Sequence, residues 1–75
     1  MSDFKWGKLH VYARDNYLRV YWFDRASTIH AVHLKLNSDN SLHMYEYDYL
    51  MPSEMWHDIA AQSDRIITYL MLKRN

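Results

Sequence analysis

Tyr45-Glu46-Tyr47-Asp48-Tyr49-Leu50-Met51-Pro52 divides the chain into two kinds of periodicity. Before it, apolar residues recur at every second position, the spacing of a strand with one face buried. After it, they recur every three to four, the spacing of a helix that covers something. The octapeptide therefore reads as the last strand of a sheet running into the first turn of a helix. Pro52 is tolerated at a helix start, Ser53 is a candidate N-cap, and Glu54 suits the first turn.

Working back from this joint, residues 8–14 place Leu9, Val11 and Ala13 on one side and His10, Tyr12 and Arg14 on the other. Residues 17–23 oppose Leu18, Val20 and Trp22 to Tyr17, Arg19, Tyr21 and Phe23. Asp15-Asn16 suits a two-residue hairpin loop, since both residue types tolerate positive φ. That loop pairs Ala13 with Leu18, Val11 with Val20 and Leu9 with Trp22, so the apolar faces coincide. Asp24-Arg25-Ala26-Ser27-Thr28 is a second loop, and residues 29–36 a third strand pairing Trp22 with His30, Val20 with Val32 and Leu18 with Leu34. Asn37-Ser38-Asp39-Asn40, read as a four-residue turn, pairs Leu36 with Ser41, Leu34 with His43, Val32 with Tyr45 and His30 with Tyr47. Tyr45 and Tyr47 then face the core, while Glu46 and Asp48 face away.

Working forward, Met55, Trp56, Ile59, Ala60, Ser63, Ile66, Ile67, Leu70 and Met71 form one helical stripe. A continuous or slightly bent helix over about residues 53–73 accounts for it. A kinked pair, with Ser63-Asp64 capping the second helix, is the alternative. Lys73 and Arg74 lie where the helix dipole favours cations. The expected fold is α+β in one small domain spanning residues 1–75. It is a four-stranded antiparallel meander (about 8–14, 17–23, 29–36 and 41–49), covered on one face by the C-terminal helix or helix pair.

Composition narrows the functional classes. The chain has 75 residues and no cysteine, so disulfides and thiolate metal sites are excluded. Three Trp, seven Tyr and two Phe supply a core that a chain this short needs. Lys and Arg total nine, as do Asp and Glu, which opposes a strong nonspecific grip on nucleic acid but leaves room for a local basic patch. The N-terminal segment has no apolar h-region and no run is long enough to span a bilayer, so a cytoplasmic location is expected, with no membrane partner.

The same register leaves one sheet face uncovered, carrying His10, Tyr12, Arg14, Tyr17, Arg19, Tyr21, Phe23, Ala31, His33, Lys35 and Met44. Tyr12 falls beside Arg19, His10 beside Tyr21, and Arg19 beside His33. Three readings of this face stand side by side. Tyr is a good strand former, and cross-strand Tyr–Arg pairs stabilise a sheet with no ligand at all. Tyr, Phe, Met and Arg are also the residues enriched in protein interfaces, which suits a partner protein or a homodimer. Finally, rings interleaved with cations stack unpaired bases and hold phosphates, which makes single-stranded nucleic acid a candidate ligand through Tyr12, Arg19, Tyr21, His33 and Lys35, flanked by His10 and Arg14.

Catalytic and metal chemistry find little support. Ser27, Ser41, Ser53 and Ser63 sit in turns or at helix caps, and Gly7 alone makes no phosphate loop. His30 and His33 lie on opposite faces, His30 and His43 share the core face several positions apart, and His57 lies off the helical stripe. No three converge, so neither a metal site nor a cofactor is expected, and an enzyme is not the expected class.

Several segments together resemble the KTSC family, small domains that occur alone in bacteria and phages and at the C-terminus of some lysyl-tRNA synthetases. The residues are Phe23-Asp24 ending a strand, the strand Ile29–Leu36, Tyr45-Glu46-Tyr47, the Met51-Pro52 step, Trp56 and Ile59 on the helix, Ala61-Gln62-Ser63, and basic Lys73-Arg74. The resemblance spans about residues 20–74. Arg65 and Asp39-Asn40 stand where that family has glycines. It implies an RNA-binding role. A protein-binding alternative is an inhibitor carried by a phage or mobile element and directed at a host protein.

Overall fold

A computed structural model describes residues 2–47 and 50–74. Five strands, β1 (Phe4–Trp6), β2 (Leu9–Ala13), β3 (Tyr17–Phe23), β4 (Ile29–Leu36) and β5 (Leu42–Tyr45), form an antiparallel sheet in the order β1-β2-β3-β4-β5. Two helices follow, α1 (Ser53–Ala61) and α2 (Ser63–Arg74). The class is α+β, as expected.

The β2–β3 and β3–β4 registers agree with the alternation pattern: Val11 pairs with Val20, Ala13 with Leu18, Leu34 with Leu18 and Trp22 with His30. The β2–β3 turn closes with Arg14 N–H donating to the Tyr17 carbonyl at 3.0 Å, and neither Asp15 nor Asn16 takes positive φ. The four-stranded expectation lacked β1, a short edge strand reached through a Gly7-Lys8 turn in which Gly7 has φ +61°. A β-carbon on Gly7 would also lie 3.1 Å from the Gln62 side-chain nitrogen, which seats this turn against the junction of the helices.

The β4–β5 register departs from expectation by one residue. Leu36 pairs with Leu42, Leu34 with Met44, Lys35 with His43 and His33 with Tyr45. The cause lies in the turn. Asn37 N–H donates to the Ser41 carbonyl, Asn40 N–H to the Asn37 carbonyl, and Asn40 adopts the left-handed conformation with φ 68°. Asn37 and Ser41 thus close the hairpin around three residues rather than four, and an odd loop inverts which side chains face the core. Asp39 reinforces it by accepting from the Ser41 N–H and hydroxyl, and these bonds hold its carboxyl below its ordinary pKa.

The corrections follow from that inversion. Tyr45 and His43 lie on the uncovered face, whereas Met44 packs against the core. Tyr47 is not in the core: β5 stops at Tyr45, and Tyr47 is exposed and meets Trp56 edge-on. Glu46, in left-handed backbone with φ 49°, ends the strand. The orientation expected of Asp48 lies outside the described residues, as does Tyr49.

At the helix start, Pro52 rather than Ser53 occupies the cap, and its carbonyl accepts the N–H groups of Met55 and Trp56. Of the two helix readings, the divided one holds. Gln62, with φ −106° and ψ 9°, separates α1 from α2. Its N–H donates to the Ile59 carbonyl and its carbonyl accepts from Ile66, so the chain bends without losing its backbone bonds.

Both helices pack on one sheet face. Leu9, Val11, Leu18, Val20, Trp22, Val32 and Leu34 from the sheet bury themselves against Met55, Ile59, Ile66 and Leu70. Each fully buried aliphatic side chain contributes about 1.5–3 kcal/mol, which is how a chain without cysteines stays folded. Trp22 buries its ring while its indole N–H donates to Asp58 of α1 at 2.6 Å, anchoring the first helix by a charge-assisted bond. Arg74 reaches back to Asn40 Oδ1 and the Asn37 carbonyl, and Lys73 to the Arg14 carbonyl, so α2 is tied to both hairpin loops at the same end of the sheet.

Candidate functional site

The uncovered sheet face holds every site residue expected from the sequence. His10 pairs with Tyr21, Tyr12 with Arg19, Arg19 with His33, and Tyr17 with Lys35. Arg14 lies beside Tyr12, its guanidinium 5.7 Å from the ring centroid, and its charge faces Asp3 at 3.7 Å. Register inversion and the extra strand add residues that the pattern did not supply, Tyr45, His43 and Lys5, while Glu46 faces away from the core as expected and reaches His33.

The face has two regions of different chemistry. Over β3–β5, the polar groups are tied to one another. Arg19 Nε donates to His33 Nε2 at 3.0 Å, and His33 Nδ1 lies 2.9 Å from Glu46 Oε2. Because arginine is a donor only, Nε2 must be the acceptor, which leaves the ring proton on Nδ1 for the carboxylate. The His33 ring lies 5.1 Å from Tyr17 and 5.3 Å from Tyr45. Lys35 sits over the Tyr45 ring at 5.1 Å. The Tyr21 hydroxyl accepts from Arg19 Nη1 at 3.5 Å, which holds the guanidinium still more firmly protonated. Burial, with Tyr17 and Glu46 nearby, pushes the Tyr45 phenol up.

Over β1–β3 and the start of β4, the face holds a depression of about 460 Å³ lined by Ser2, Lys5, His10, Tyr12, Tyr21, Phe23 and Ile29. Tyr12 and Tyr21 meet edge-to-face at 5.3 Å, and His10 and Phe23 at 5.1 Å. Phe23 and Ile29 pair across the strands and stay 45% and 54% exposed, which is unusual for neighbouring large apolar groups.

The charge is not evenly spread. Among the described residues, Lys5, Arg14, Arg19 and Lys35 stand on or at the rim of this face against the carboxylates of Asp3 and Glu46. Asp58 lies on the helical side, bonded to Trp22, and Glu54 and Asp64 open the two helices. A chain with equal numbers of acidic and basic residues thus shows a basic, ring-covered face.

No group of three or more His, Asp or Glu side chains is arranged to hold a metal ion among the described residues. His43, expected on the core face, is on the open one, stacked at 5.8 Å on Tyr45, while His30 stays on the helical side within 3.2 Å of Asp24. Among the described residues no helix is long and apolar enough to cross a membrane.

Two signals in the sequence point to the added residues. Asn40 is a residue type that accepts left-handed backbone, which allows a three-residue loop and puts Tyr45 on the open face. Phe4-Lys5-Trp6 before a glycine is itself a short alternating run, with Lys5 facing opposite to the two rings. No family model, no curated protein and no solved structure matches this chain.

Proposed function

We propose that the chain is a non-enzymatic binding module whose open sheet face takes single-stranded nucleic acid. The observation that carries this reading is the pairing of ring side chains with a local excess of cations on a face the helices leave bare. Tyr12, Tyr21, His10 and Phe23 present π-surfaces to unpaired bases, which stack whatever their identity. Lys5, Arg14, Arg19 and Lys35 supply the charge that a phosphate backbone requires. The likeness to KTSC domains, with its implied RNA-binding role, points the same way.

Fluorescence anisotropy with short single-stranded RNA and DNA tests the reading. Affinity falls steeply as salt rises from 50 to 200 mM, and Tyr21→Ala weakens binding by about 1–3 kcal/mol. Absence of binding to a mixed-sequence oligonucleotide pool at low salt sinks it.

The exposed Phe23–Ile29 pair favours a second reading, a protein partner with an apolar contact ringed by acidic residues. A phage or mobile-element inhibitor of a host protein belongs to this class. Homodimerisation through the same face is opposed by its like charge, which would bring two basic surfaces together. A dimeric mass that Phe23→Ala converts to monomer reverses that preference.

A further inference from the structure

We infer that the β1–β3 half of the open face is a seat for one unpaired nucleobase together with its phosphate. This rests on the nucleic-acid reading above and adds where a base is held and how many the face accepts. Its ligand class is a mononucleotide unit.

The first argument is the contrast between the two halves. Around His33 the hydrogen-bonding groups satisfy one another, since Arg19, His33 and Glu46 form a closed chain and Lys35 covers the Tyr45 ring. A base placed there must displace a cation from a ring and meets a carboxylate that repels its phosphate. Around Tyr21 and Phe23 the rings pack on one another, with Arg14 beside Tyr12 and Arg19 on the Tyr21 hydroxyl. The lining of the depression carries Lys5 and His10 with no carboxylate among the described residues.

The second argument is shape. Each ring pair stands nearly perpendicular, at 83° for Tyr12–Tyr21 and 77° for His10–Phe23. A flat ligand lying on one ring of a pair is therefore closed at its edge by the other, an arrangement that favours planar guests over aliphatic ones. At about 460 Å³ the depression is near the small end of ligand sites, which matches one nucleotide unit rather than a run of them.

Charge supplies the third argument. Lys5 lines the depression, Arg14 stands over Tyr12, and Arg19 reaches the Tyr21 hydroxyl. Cations border an apolar floor, so the complementary guest is aromatic in its body and anionic at its rim. An acidic peptide shares the charge but lacks the large planar face.

Two-dimensional NMR titration of the whole chain tests this, with adenosine monophosphate, adenosine, an oligouridine and an acidic aromatic peptide as probes. The monophosphate should shift Lys5, Tyr12, Tyr21 and Phe23 at saturation and spare Tyr17 and Tyr45. Adenosine should bind the same residues more weakly. Lys5→Ala should lower affinity for the monophosphate about two- to five-fold, towards that of adenosine, the effect of one exposed charge. Tyr21→Ala should lower both about 5- to 150-fold, with the spectrum confirming a folded protein. If the oligouridine binds but the monophosphate shifts the Tyr17–His33–Tyr45 half or nothing, the seat is wrong and the nucleic-acid reading survives. If only the peptide binds, or if no probe binds, both are overturned.

Discussion

On the helical side of β4, Val32 and Leu34 are fully buried. One residue away on the opposite side, His33 and Lys35 are held by partners rather than by packing. The two faces of this strand are thus ordered by different forces. The covered face buries no polar or charged residue among those described and is held by shape and volume, with the Trp22 indole N–H satisfied by Asp58. The open face keeps a histidine at 13% side-chain exposure by giving each of its ring nitrogens a partner. Stability is concentrated on one side, which leaves the other free to carry binding chemistry. That division depends on the register, because a slip of one residue exchanges the two sets.

The strongest way to break this comparison is to substitute on both faces of β4. Leu34→Ala should cost about 2–5 kcal/mol of stability in chemical denaturation, as a large-to-small change in a packed core does. Lys35→Ala should cost only a small fraction of that. Equal losses would show that the open face also holds the fold together. Next in size is Asp58→Ala, which strands the Trp22 indole N–H in the core. About 1–3 kcal/mol should be lost, and Trp22→Phe in the same background should cost less than it does alone.

Asn40 sharpens the comparison at the level of register. Asn40→Ala replaces a residue type that tolerates left-handed backbone with one that tolerates it less, and removes the Arg74 contact, for a loss of about 1 kcal/mol. Asn40→Gly removes only the contact and should be milder. If the two variants unfold alike, the left-handed residue is not what sets the turn.

The smallest effect concerns Asp24, at the sheet end where Phe23 and Ile29 lie exposed. Its carboxylate accepts from the Thr28 and Ala26 N–H groups and faces His30, and these contacts hold its pKa below the ordinary aspartate value. A folded-state pKa that is depressed contributes stability above the unfolded value and loses it as pH falls through the folded one. Asp24→Asn should therefore be less stable than the parent at neutral pH, with the difference shrinking on acidification. A constant difference across the acid range would contradict this.

Much of the fold was legible from alternation alone. Strands β2 to β4 pair as the coincidence of their apolar faces demands, because any slip would expose Leu18, Val20 and Val32 together. The pattern did not reveal β1, since three residues are too few for periodicity to stand out from chance. It also misplaced Tyr45, since tyrosine suits either face of a sheet and gave no vote against the wrong register. Of the candidate site, the residues from β2 to β4 were readable. Those contributed by β1 and β5 were not, because three residues make a weak pattern and the facing of β5 turns on the single left-handed residue Asn40.

By itself, then, the sequence determined the α+β class, the central register, and the meeting of rings and cations on one face. These follow from local periodicity, which the hydrophobic effect enforces strand by strand. Only the tertiary structure decided that the β4–β5 turn closes on three residues, that Gln62 divides the helix, and that the open face splits into a tied half and an apolar hollow. Each of those is settled by a backbone conformation or a side-chain partnership, and neither leaves a periodic mark in the chain.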